Sequence, residues 1–571
     1  MAAAGRKIQQ QYYTRGRKGL FQAGEGFDTV AKSPGLDNNF IKKTLHPYCL
    51  YIAPQELARR GERDIQLYPA ALTVFPVETG ELVIGRSVFA GPDFSGQRDV
   101  IFSHNFVVPA DLREAFLRKP GALFRVTGFT HTYDEGADTS LPELDELEYA
   151  RGFNLNNPDT ILQKLGVSED LFKSLLYAIF SAVSSKKKVY IILNTDVSES
   201  SEMAAELLDI LYRCLPYEVR CRFGFTTYNN EPQGRKNIDV MFVEKGSIRT
   251  DTRSLGKDFL FDFPNERFPV EEYQGTTDYL DFAWRNRNNP GQWEVFYDFA
   301  DEALDGLSSQ DKILLSNYSQ AIVLFMAAQG FTAPYEADKA TTVEGLLHFL
   351  RVGGPENKPR LNELLLGMIR DEAGRSIARP LATQTGFRSD NRDEPVLKDP
   401  VIEQKAAIPG RLPARALVGF FEYYGLAPDS VKPEIIAILT DLLDRSVVTQ
   451  EGGAAYLGEA SLALKKQPEL QRFIYERIGR ELRYAELSEV VLAERMSKVK
   501  TIKELQEEIG FWISHSMDSL SLPFFIGLFQ DKLKRALQKP GDQAVAGGHM
   551  FRFCAQLRKL QANHRGSDLE L

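Results

Sequence analysis

The sequence is poor in cysteine. Four cysteines, Cys49, Cys214, Cys221 and Cys554, are scattered over 571 residues. Disulfide frameworks belong mainly to small secreted domains whose cysteines are closely spaced. We therefore expect these four side chains to be reduced and to pack as small apolar groups.

A long apolar run is also missing. The most apolar stretch, residues 313–330, is interrupted by Ser316, Asn317, Ser319 and Gln320, whereas a membrane-spanning helix needs about 20 predominantly apolar residues. The first residues lack the apolar segment of a secretory signal. We expect a cytoplasmic protein without a membrane span.

The chain has no basic excess. It contains 69 Lys and Arg against 78 Asp and Glu, a net charge of -9, which disfavours general nucleic-acid binding. Near the N-terminus, however, basic and aromatic side chains are interleaved, and such a mixture can grip single-stranded nucleic acid. A nucleic-acid sensor therefore stays open, although the acidic balance favours a solvated edge strand followed by a basic loop. The residues concerned are Arg6, Lys7, Tyr12, Tyr13, Arg15, Arg17, Lys18 and Phe21.

No motif for nucleotide hydrolysis or acyl transfer is complete. A P-loop ends in Gly-Lys-Ser/Thr, a string that the sequence does not contain, and Gly24-Glu25-Gly26 lacks the third glycine of a dinucleotide fingerprint. Ser33, followed by Pro34 and Gly35, superficially resembles a serine-hydrolase elbow. Since Pro34 has no N–H to donate to an oxyanion, a tight turn is the better interpretation.

The seven histidines show no metal-ligand spacing, so we expect neither a metal site nor a cofactor. His104 is the one histidine that we weigh as a catalytic group. It lies on the apolar face of a predicted half-buried strand, residues 102–108, with Arg86 upstream. A satisfied core histidine is the commoner role, and a hydrolase or nuclease site around Arg86 and His104 stays open as the alternative.

The chain is too long for one hydrophobic core. The hydrophobic pattern predicts α+β and α/β folds in the N-terminal half and an all-α C-terminal region. The predicted regions are a β-rich domain (1–150), an α/β domain (151–250), a mixed connecting region (251–300), a helical region (301–378), a Pro-rich linker or long loop (379–413) and a helical C-terminal domain (414–571).

Short alternating runs in the first region predict strands at 65–67, 71–75 and 100–108, and the spacing of Leu112 and Phe116 predicts a helix over 110–118. From residue 301 onward the periodicity is helical. The predicted helices cover 313–328, 343–350, 361–370, 414–424, 433–448, 457–478, 484–497, 502–517, 523–537 and 550–561.

The α/β region has the clearest pattern. Helical spacing over 168–184 precedes the apolar run 189–193, which predicts a buried strand, and alternation predicts strands at 219–228 and 238–242. Ligands of such folds bind beyond the carboxyl ends of strands, here at residues 194–196. Polar residues are also what any strand-to-helix loop requires.

Several ordered blocks resemble the N-terminal domain of the bacterial GTPase-associated protein family. They are Gln9-Gln10-Gln11-Tyr12-Tyr13-Thr14, the stretch from Gly19 to Phe27, Val30-Ala31-Lys32-Ser33-Pro34-Gly35-Leu36, Tyr48 to Pro54, and Gly85-Arg86 to Phe102-Ser103-His104-Asn105-Phe106. Residues 168–243 resemble the family's middle domain, above all Leu215-Pro216 and Arg222-Phe223-Gly224-Phe225-Thr226-Thr227-Tyr228.

The resemblance implies a non-enzymatic adaptor or regulatory subunit that binds a GTPase encoded nearby and couples it to a downstream effector. It also implies a part in an NTP-dependent conflict system such as antiviral defence. The helical C-terminal region or the N-terminal domain would provide the docking surface. The family offers no established catalytic residues, so its motif residues are candidates for binding alone: Gln11, Tyr13, Ser33, Pro34, Gly35, Arg222 and Thr226.

Overall fold

A computed structural model describes residues 7–93, 98–134, 136–150, 157–248, 258–269, 277–378, 412–448, 485–515, 522–537 and 555. The chain divides into two compact units, Met1–Ile322 and Val323–Leu571.

One nine-stranded sheet dominates the described part of the first unit, with the strand order β2-β1-β5-β4-β3-β7-β8-β6-β9. The strands are β1 (Gln9–Gly16), β2 (Gly26–Lys32), β3 (Ala71–Pro76), β4 (Leu82–Pro92), β5 (Asp99–Val108), β6 (Val189–Ile192), β7 (Phe225–Asn229), β8 (Val240–Val243) and β9 (Phe259–Asp262).

The sheet has an antiparallel and a parallel half. The first five strands in the spatial order pair antiparallel throughout, as expected where short connections join neighbouring strands. Strands β7, β8, β6 and β9 pair in parallel. Short continuous apolar strands such as β6 are typical of a parallel sheet covered on both faces.

The two halves meet at a single antiparallel pair of strands, β3 and β7, through Thr73 opposite Thr226 and Val74 opposite Phe225. Hydroxyl groups reinforce this joint. The Thr73 and Thr226 hydroxyls are 2.9 Å apart, and the backbone N–H of Leu72 donates to Thr227 Oγ1 at 2.9 Å. The predicted β-rich and α/β regions therefore contribute to one continuous sheet.

Helices and loops cover the sheet. In chain order the first unit has α1 (Asn38–Phe40), α2 (Gln55–Arg60), α3 (Ala110–Leu117), α4 (Pro158–Lys164), α5 (Glu169–Ser185), α6 (Ser200–Arg213), α7 (Tyr217–Arg220), α8 (Asp278–Arg285) and α9 (Pro290–Ala303), and α10 (Leu315–Ala328) begins in it.

Helix α5 illustrates how the sequence sets these boundaries. The Ser168 hydroxyl caps its first turn by accepting a hydrogen bond from the N–H of Leu171 at 3.3 Å. Its buried face carries Phe172, Leu176 and Ile179, the helical spacing that the sequence showed. The strand that follows, β6, is buried at every position, as predicted for a continuous apolar run.

Two predicted strands are wrong in detail. Residues Ile65–Leu67 form a short 3₁₀ helix, which Asp64 caps by accepting from the N–H of Gln66. Within the predicted strand 219–228, Pro216 lies at the N-terminal cap of helix α7, and extended structure begins only at Phe225. In both places a residue suited to helix initiation outweighs the alternation of apolar residues.

Strand β5 is buried on both faces, whereas the sequence pattern predicted burial of one face only. Ser103 and Asn105, placed on the solvent side by the alternation, are 0% and 6% exposed. Ser103 bonds across the sheet to Ser87, with 2.7 Å between the hydroxyl oxygens. The segment around Cys49 covers this face, because Ser103 Oγ also donates to the Cys49 carbonyl.

The second unit is helical wherever the structure describes it, which confirms the predicted all-α C-terminal region. Its helices are α11 (Ala333–Ala337), α12 (Lys339–Arg351), α13 (Pro359–Ala378), α14 (Ala414–Leu426), α15 (Lys432–Val448), α16 (Ala485–Lys498), α17 (Ile502–His515) and α18 (Leu522–Leu537). The predicted helix at 457–478, nearly all of that at 550–561, and nearly all of the Pro-rich linker lie outside the described residues.

Buried ion pairs hold helices of this unit together. Lys339 and Glu372 are both about 5% exposed, and the lysine Nζ lies 2.6 Å from the carboxylate. Arg495 and Glu508 form a second buried pair. No helix among the described residues of the chain combines the length and apolar character needed to cross a membrane.

Gly224 gives a direct test of the packing beside the joint. A Cβ at this position would lie 1.8 Å from the carbonyl oxygen of Asn237, so we expect Gly224→Ala to destabilise the protein by about 1–3 kcal/mol through overpacking. The free energy of unfolding from urea titration measures this.

Gly234→Ala is the matched control for that substitution, since no atom lies within 4 Å of a Cβ built there. Equal stability of the two variants would show that the approach of Gly224 to Asn237 is not tight.

Candidate functional site

His104 is held as a neutral core residue. Its ring is 0% exposed. Nδ1 lies 3.1 Å from the backbone N–H of Thr130, from which it accepts, so the proton is on Nε2, which donates to Gln10 Oε1 at 3.1 Å. Burial, with a smaller effect of the nearby His131 charge, lowers the pKa of His104 to about 3.

Aromatic rings enclose His104, with centroids of Tyr12 and Phe106 at 4.6 and 4.3 Å. Arg86 lies opposite His104 in the register of β4 and β5. A general acid or base must reach a substrate proton, and both ring nitrogens of His104 are already hydrogen-bonded inside the protein. This arrangement argues against acid–base catalysis by His104.

Gln11 organises a buried polar network between strand β1 and the loop that carries Cys49. Its side-chain NH₂ donates to Thr29 Oγ1 at 2.8 Å, and its Oε1 accepts from Asn105 Nδ2 at 2.7 Å. Asn105 also donates to Cys49 Sγ at 3.3 Å. The network satisfies these groups internally, which is the condition for burying them.

Tyr13 extends the same cluster. Its ring stacks against Phe27 and lies 5.1 Å from the ring of His46, whose Nε2 is 2.9 Å from Thr29 Oγ1. Burial raises the pKa of Tyr13 to about 12 and lowers that of His46. Gln11 and Tyr13 thus share one cluster, and its described members are buried or half-buried.

Ser33, Pro34 and Gly35 form a tight turn directly after β2. The Ser33 hydroxyl accepts from the N–H of Gln10 at 2.8 Å and donates to the Pro142 carbonyl at 3.0 Å. The N–H of Gly35 donates to Glu143 Oε1 at 3.1 Å. Ser33 is fully buried, so its hydroxyl fastens the turn to the rest of the domain.

Arg222 and Thr226 lie apart from both groups. Arg222 donates to Gln310 Oε1 at 3.1 Å and to the Ser309 carbonyl, whereas Thr226 belongs to the joint of the sheet. The seven family-motif residues therefore do not form one site. Their described contacts brace the turn, the joint and the cluster around Gln11.

The N-terminal aromatic residues are mostly used for packing. Tyr13 is buried, Tyr12 contacts His104, and Lys42 Nζ lies 4.4 Å from the ring centroid of Phe21. Arg15 pairs with Asp93 at 3.3 Å. Stacking on single-stranded bases needs exposed rings, so these contacts do not favour a nucleic-acid grip here; Arg6 lies outside the described residues.

A first cavity, of about 470 Å³, lies beside the joint of the sheet. Strand β4 contributes Arg86, and helix α6 contributes one face along its whole length, from Ser201 to Arg213. Apolar side chains line much of the wall, namely Tyr68, Leu72, Leu123, Phe124, Val126, Phe129, Ile161 and Ile210. Helix α6 adds the charged side chains of Glu202, Glu206, Asp209 and Arg213.

A second cavity, of about 440 Å³, lies at the carboxyl ends of β6 and β8. Thr195 lines it, at the position where the sequence predicted a ligand of the α/β region. Side chains of both charge signs line this cavity: Arg59 and Lys245 are positive, and Glu56 and Glu244 are negative. Glu244 accepts from the first N–H groups of α2, and Lys245 Nζ donates to Asn194 at 3.1 Å.

Metal-ligating side chains do not cluster within the described part of the chain, where no group of three or more His, Cys, Asp and Glu could hold an ion. Cys49 and Cys214 are buried free thiols and Cys221 is half-buried, while Cys554 lies outside the described residues. Burial raises the pKa of Cys49 and of Cys214 to about 12, so neither is poised as a thiolate nucleophile.

Sequence reasoning missed the first cavity, apart from Arg86. Its walls come from segments far apart in the chain, and no local spacing signals that they meet. The one available signal was a lone arginine in a strand otherwise rich in apolar and small residues.

Two family models match the chain. Residues 7–147 match GTPase-associated protein 1, N-terminal domain type 2, and residues 161–265 match GTPase-associated protein 1, middle domain. The matches confirm the resemblance seen in the sequence blocks. Neither a curated protein nor a solved structure matches the chain significantly.

The buried neutral state of His104 predicts a pH effect on stability. Because its pKa in the folded protein is below the unfolded value of about 6.5, only the unfolded chain takes up this proton as the pH falls. Stability that is fully present above pH 6.5 is then lost progressively toward pH 3, by roughly 1–2 kcal/mol at pH 5.

Urea unfolding at pH 7 and pH 5 measures this loss, which we expect to be smaller in His104→Gln. His348→Gln, on an exposed helix position, is the control and should keep the wild-type difference. An unchanged difference in His104→Gln would mean that the ring titrates normally in the folded protein.

Proposed function

We propose that this chain, whose residues 7–147 and 161–265 match the N-terminal and middle domains of GTPase-associated protein 1, is a non-enzymatic adaptor or regulatory subunit that binds a GTPase. The observation that carries the proposal is the ordered pair of family matches, whose descriptions name association with a GTPase. We further propose that the pair acts on a downstream effector in a bacterial conflict system, with antiviral defence as its outcome.

The side chains with catalytic potential support this division of labour. His104 and Ser33 are fully buried, and each has its polar atoms hydrogen-bonded to neighbouring residues. The sequence contains no Gly-Lys-Ser/Thr string, so a GTPase partner would supply the nucleotide switch. This chain would supply a surface that binds one nucleotide state of the GTPase better than the other.

An exposed apolar patch in the first unit is the docking surface that we propose. Leu50 and Ile52 are 53% and 46% exposed, and Ile65 and Leu67 are 52% and 37% exposed. The two segments adjoin, because the Tyr51 hydroxyl donates to the Pro69 carbonyl at 2.8 Å and Tyr51 and Tyr68 share one core cluster. Four exposed aliphatic side chains on adjoining segments suit a protein partner.

A rigid base holds this patch in place. Tyr68 stacks on Phe89 of β4 with centroids 4.0 Å apart, and Tyr228 of β7 donates to the Ile52 carbonyl at 3.3 Å. Phe89 and Tyr228, which hold the two segments, both belong to the central sheet. A partner docked here would therefore meet a preorganised surface, which lowers the entropic cost of binding.

Co-purification with the GTPase encoded beside this chain tests the proposal. We expect association that differs between the GDP state and a non-hydrolysable GTP analogue, because a reader of the switch must bind one state better. A purified pair that fails to associate in either nucleotide state would contradict the proposal.

Substitutions in the patch test the docking surface separately. We expect Ile52→Asp combined with Ile65→Asp to weaken binding of the GTPase by at least about tenfold, since each places a charge in an apolar contact. Val295→Asp, at an equally exposed apolar position on α9, is the control and should bind as the wild type does. Equal binding by both variants would place the docking surface elsewhere while leaving the association itself intact.

A further inference from the structure

Arg86 is partly buried at the wall of the first cavity. Among the residues that the structure describes, none forms a hydrogen bond or ion pair with its guanidinium; the contact that it makes is with the ring of Phe129, 6.0 Å from the centroid. Burial lowers the pKa of Arg86, and no carboxylate opposes that effect. The guanidinium lines the first cavity beside the joint.

Two other sheltered arginines of the first unit, Arg220 and Arg15, are satisfied by protein groups. Arg220 is 3% exposed and donates to the carbonyls of Tyr212, Leu117 and Arg213 at 3.1–3.2 Å. Arg15 pairs with Asp93 at 3.3 Å. The fold compensates these two guanidinium groups, whereas Arg86 has no such partner in the part of the chain that the structure describes.

An uncompensated cation in a sheltered position is unfavourable, because it gives up hydration without gaining a counter-charge. The contact with Phe129 does not by itself need a cation, because an aliphatic side chain can also pack against an aromatic ring. Arg86 retains its five N–H donors at the wall of a cavity large enough for a small organic molecule. Binding of an anionic ligand would account for both features.

The rest of the cavity defines the body of that ligand. Tyr68, Phe124 and Phe129 provide aromatic wall, and Leu123 and Ile161 add aliphatic surface. These residues suit a planar or apolar group attached to the anion. The wall combines residues of both family-matched ranges, so a bound molecule would contact the N-terminal and the middle domain together.

Carboxylates also line this cavity. Asp209 forms an ion pair with Arg213 within α6, and Glu202 lies at an exposed position in the first turn of α6. Glu206 is engaged with another group. The negative charge thus belongs to the α6 wall, whereas the guanidinium of Arg86 extends from the sheet.

We propose that the first cavity binds a small organic ligand with a terminal oxyanion, which Arg86 holds, and an aromatic or apolar body, which Tyr68, Phe124 and Phe129 contact. A guanidinium matches a carboxylate or a phosphate in a two-pronged geometry. This site is independent of the proposed binding of a GTPase, and either can fail without the other.

Thermal unfolding of the full chain with three probes tests the site. The probes are phenyl phosphate, benzoate and inorganic phosphate, each at millimolar concentration and matched ionic strength against chloride. We expect phenyl phosphate, benzoate or both to raise the Tm of the wild type, and to do so more than inorganic phosphate, which lacks the apolar body. The two organic probes separate a phosphate from a carboxylate ligand.

Variants link any shift to the cavity. Arg86→Gln should lose the probe-dependent rise in Tm. Arg86→Lys should retain part of it, because lysine keeps the positive charge but cannot form the two parallel hydrogen bonds of a guanidinium. Arg59→Gln, at the mouth of the second cavity, should keep the wild-type response. Without ligand, Arg86→Gln should unfold no earlier than the wild type, since it removes an uncompensated cation.

Several results would overturn the site. One is a wild type whose Tm responds to none of the three probes. Another is a response that is unchanged in Arg86→Gln. A third is a response lost in Arg59→Gln and kept in Arg86→Gln, which would move the ligand to the second cavity. Early unfolding of ligand-free Arg86→Gln would assign Arg86 a structural role and contradict the proposal as well.

Discussion

The antiparallel pairing of β3 with β7 is the constraint on which the first unit depends. Two residue pairs, Thr73 with Thr226 and Val74 with Phe225, carry the connection between an antiparallel and a parallel half. Hydroxyl groups spread the connection to helix α6, because Thr227 Oγ1 lies 2.7 Å from Ser201 Oγ, which also donates to the Ala70 carbonyl. Each such bond contributes only about 1 kcal/mol, but together they fix where the wall of the first cavity stands relative to α6.

Burial on both faces of β5, which segments such as that around Cys49 cover, explains its polar residues. Asn105 lies in the network with Gln11 and Cys49, and His104 bonds to Gln10 and to the backbone of Thr130. Leaving such groups unpaired would cost about 1–3 kcal/mol each. The two residues that the sequence presented as a possible catalytic pair thus differ: His104 is a satisfied core residue, while the guanidinium of Arg86 has no hydrogen-bonding partner within the described ranges.

Periodicity was sufficient to predict most helices and the buried strand β6, because local burial patterns determine them. It failed at Ile65–Leu67 and at Tyr217–Arg220, where Asp64 and Pro216 start helical turns that alternation does not reveal. The union of two predicted regions into one sheet depends on Thr73 and Thr226, 153 residues apart, and no local pattern encodes such a pairing. For the same reason the sequence indicated Arg86 as a residue of interest but not the cavity that it lines.

Hydrogen exchange at the backbone amides of β3 and β7 tests most directly whether the two halves of the sheet form one cooperative unit. The continuous sheet predicts that the amides at the joint exchange as slowly as those of the central strands β4 and β8, since opening the joint would require opening the unit. Fast exchange confined to β3 and β7, with slow exchange in the strands on either side, would show two independently stable halves and contradict the account.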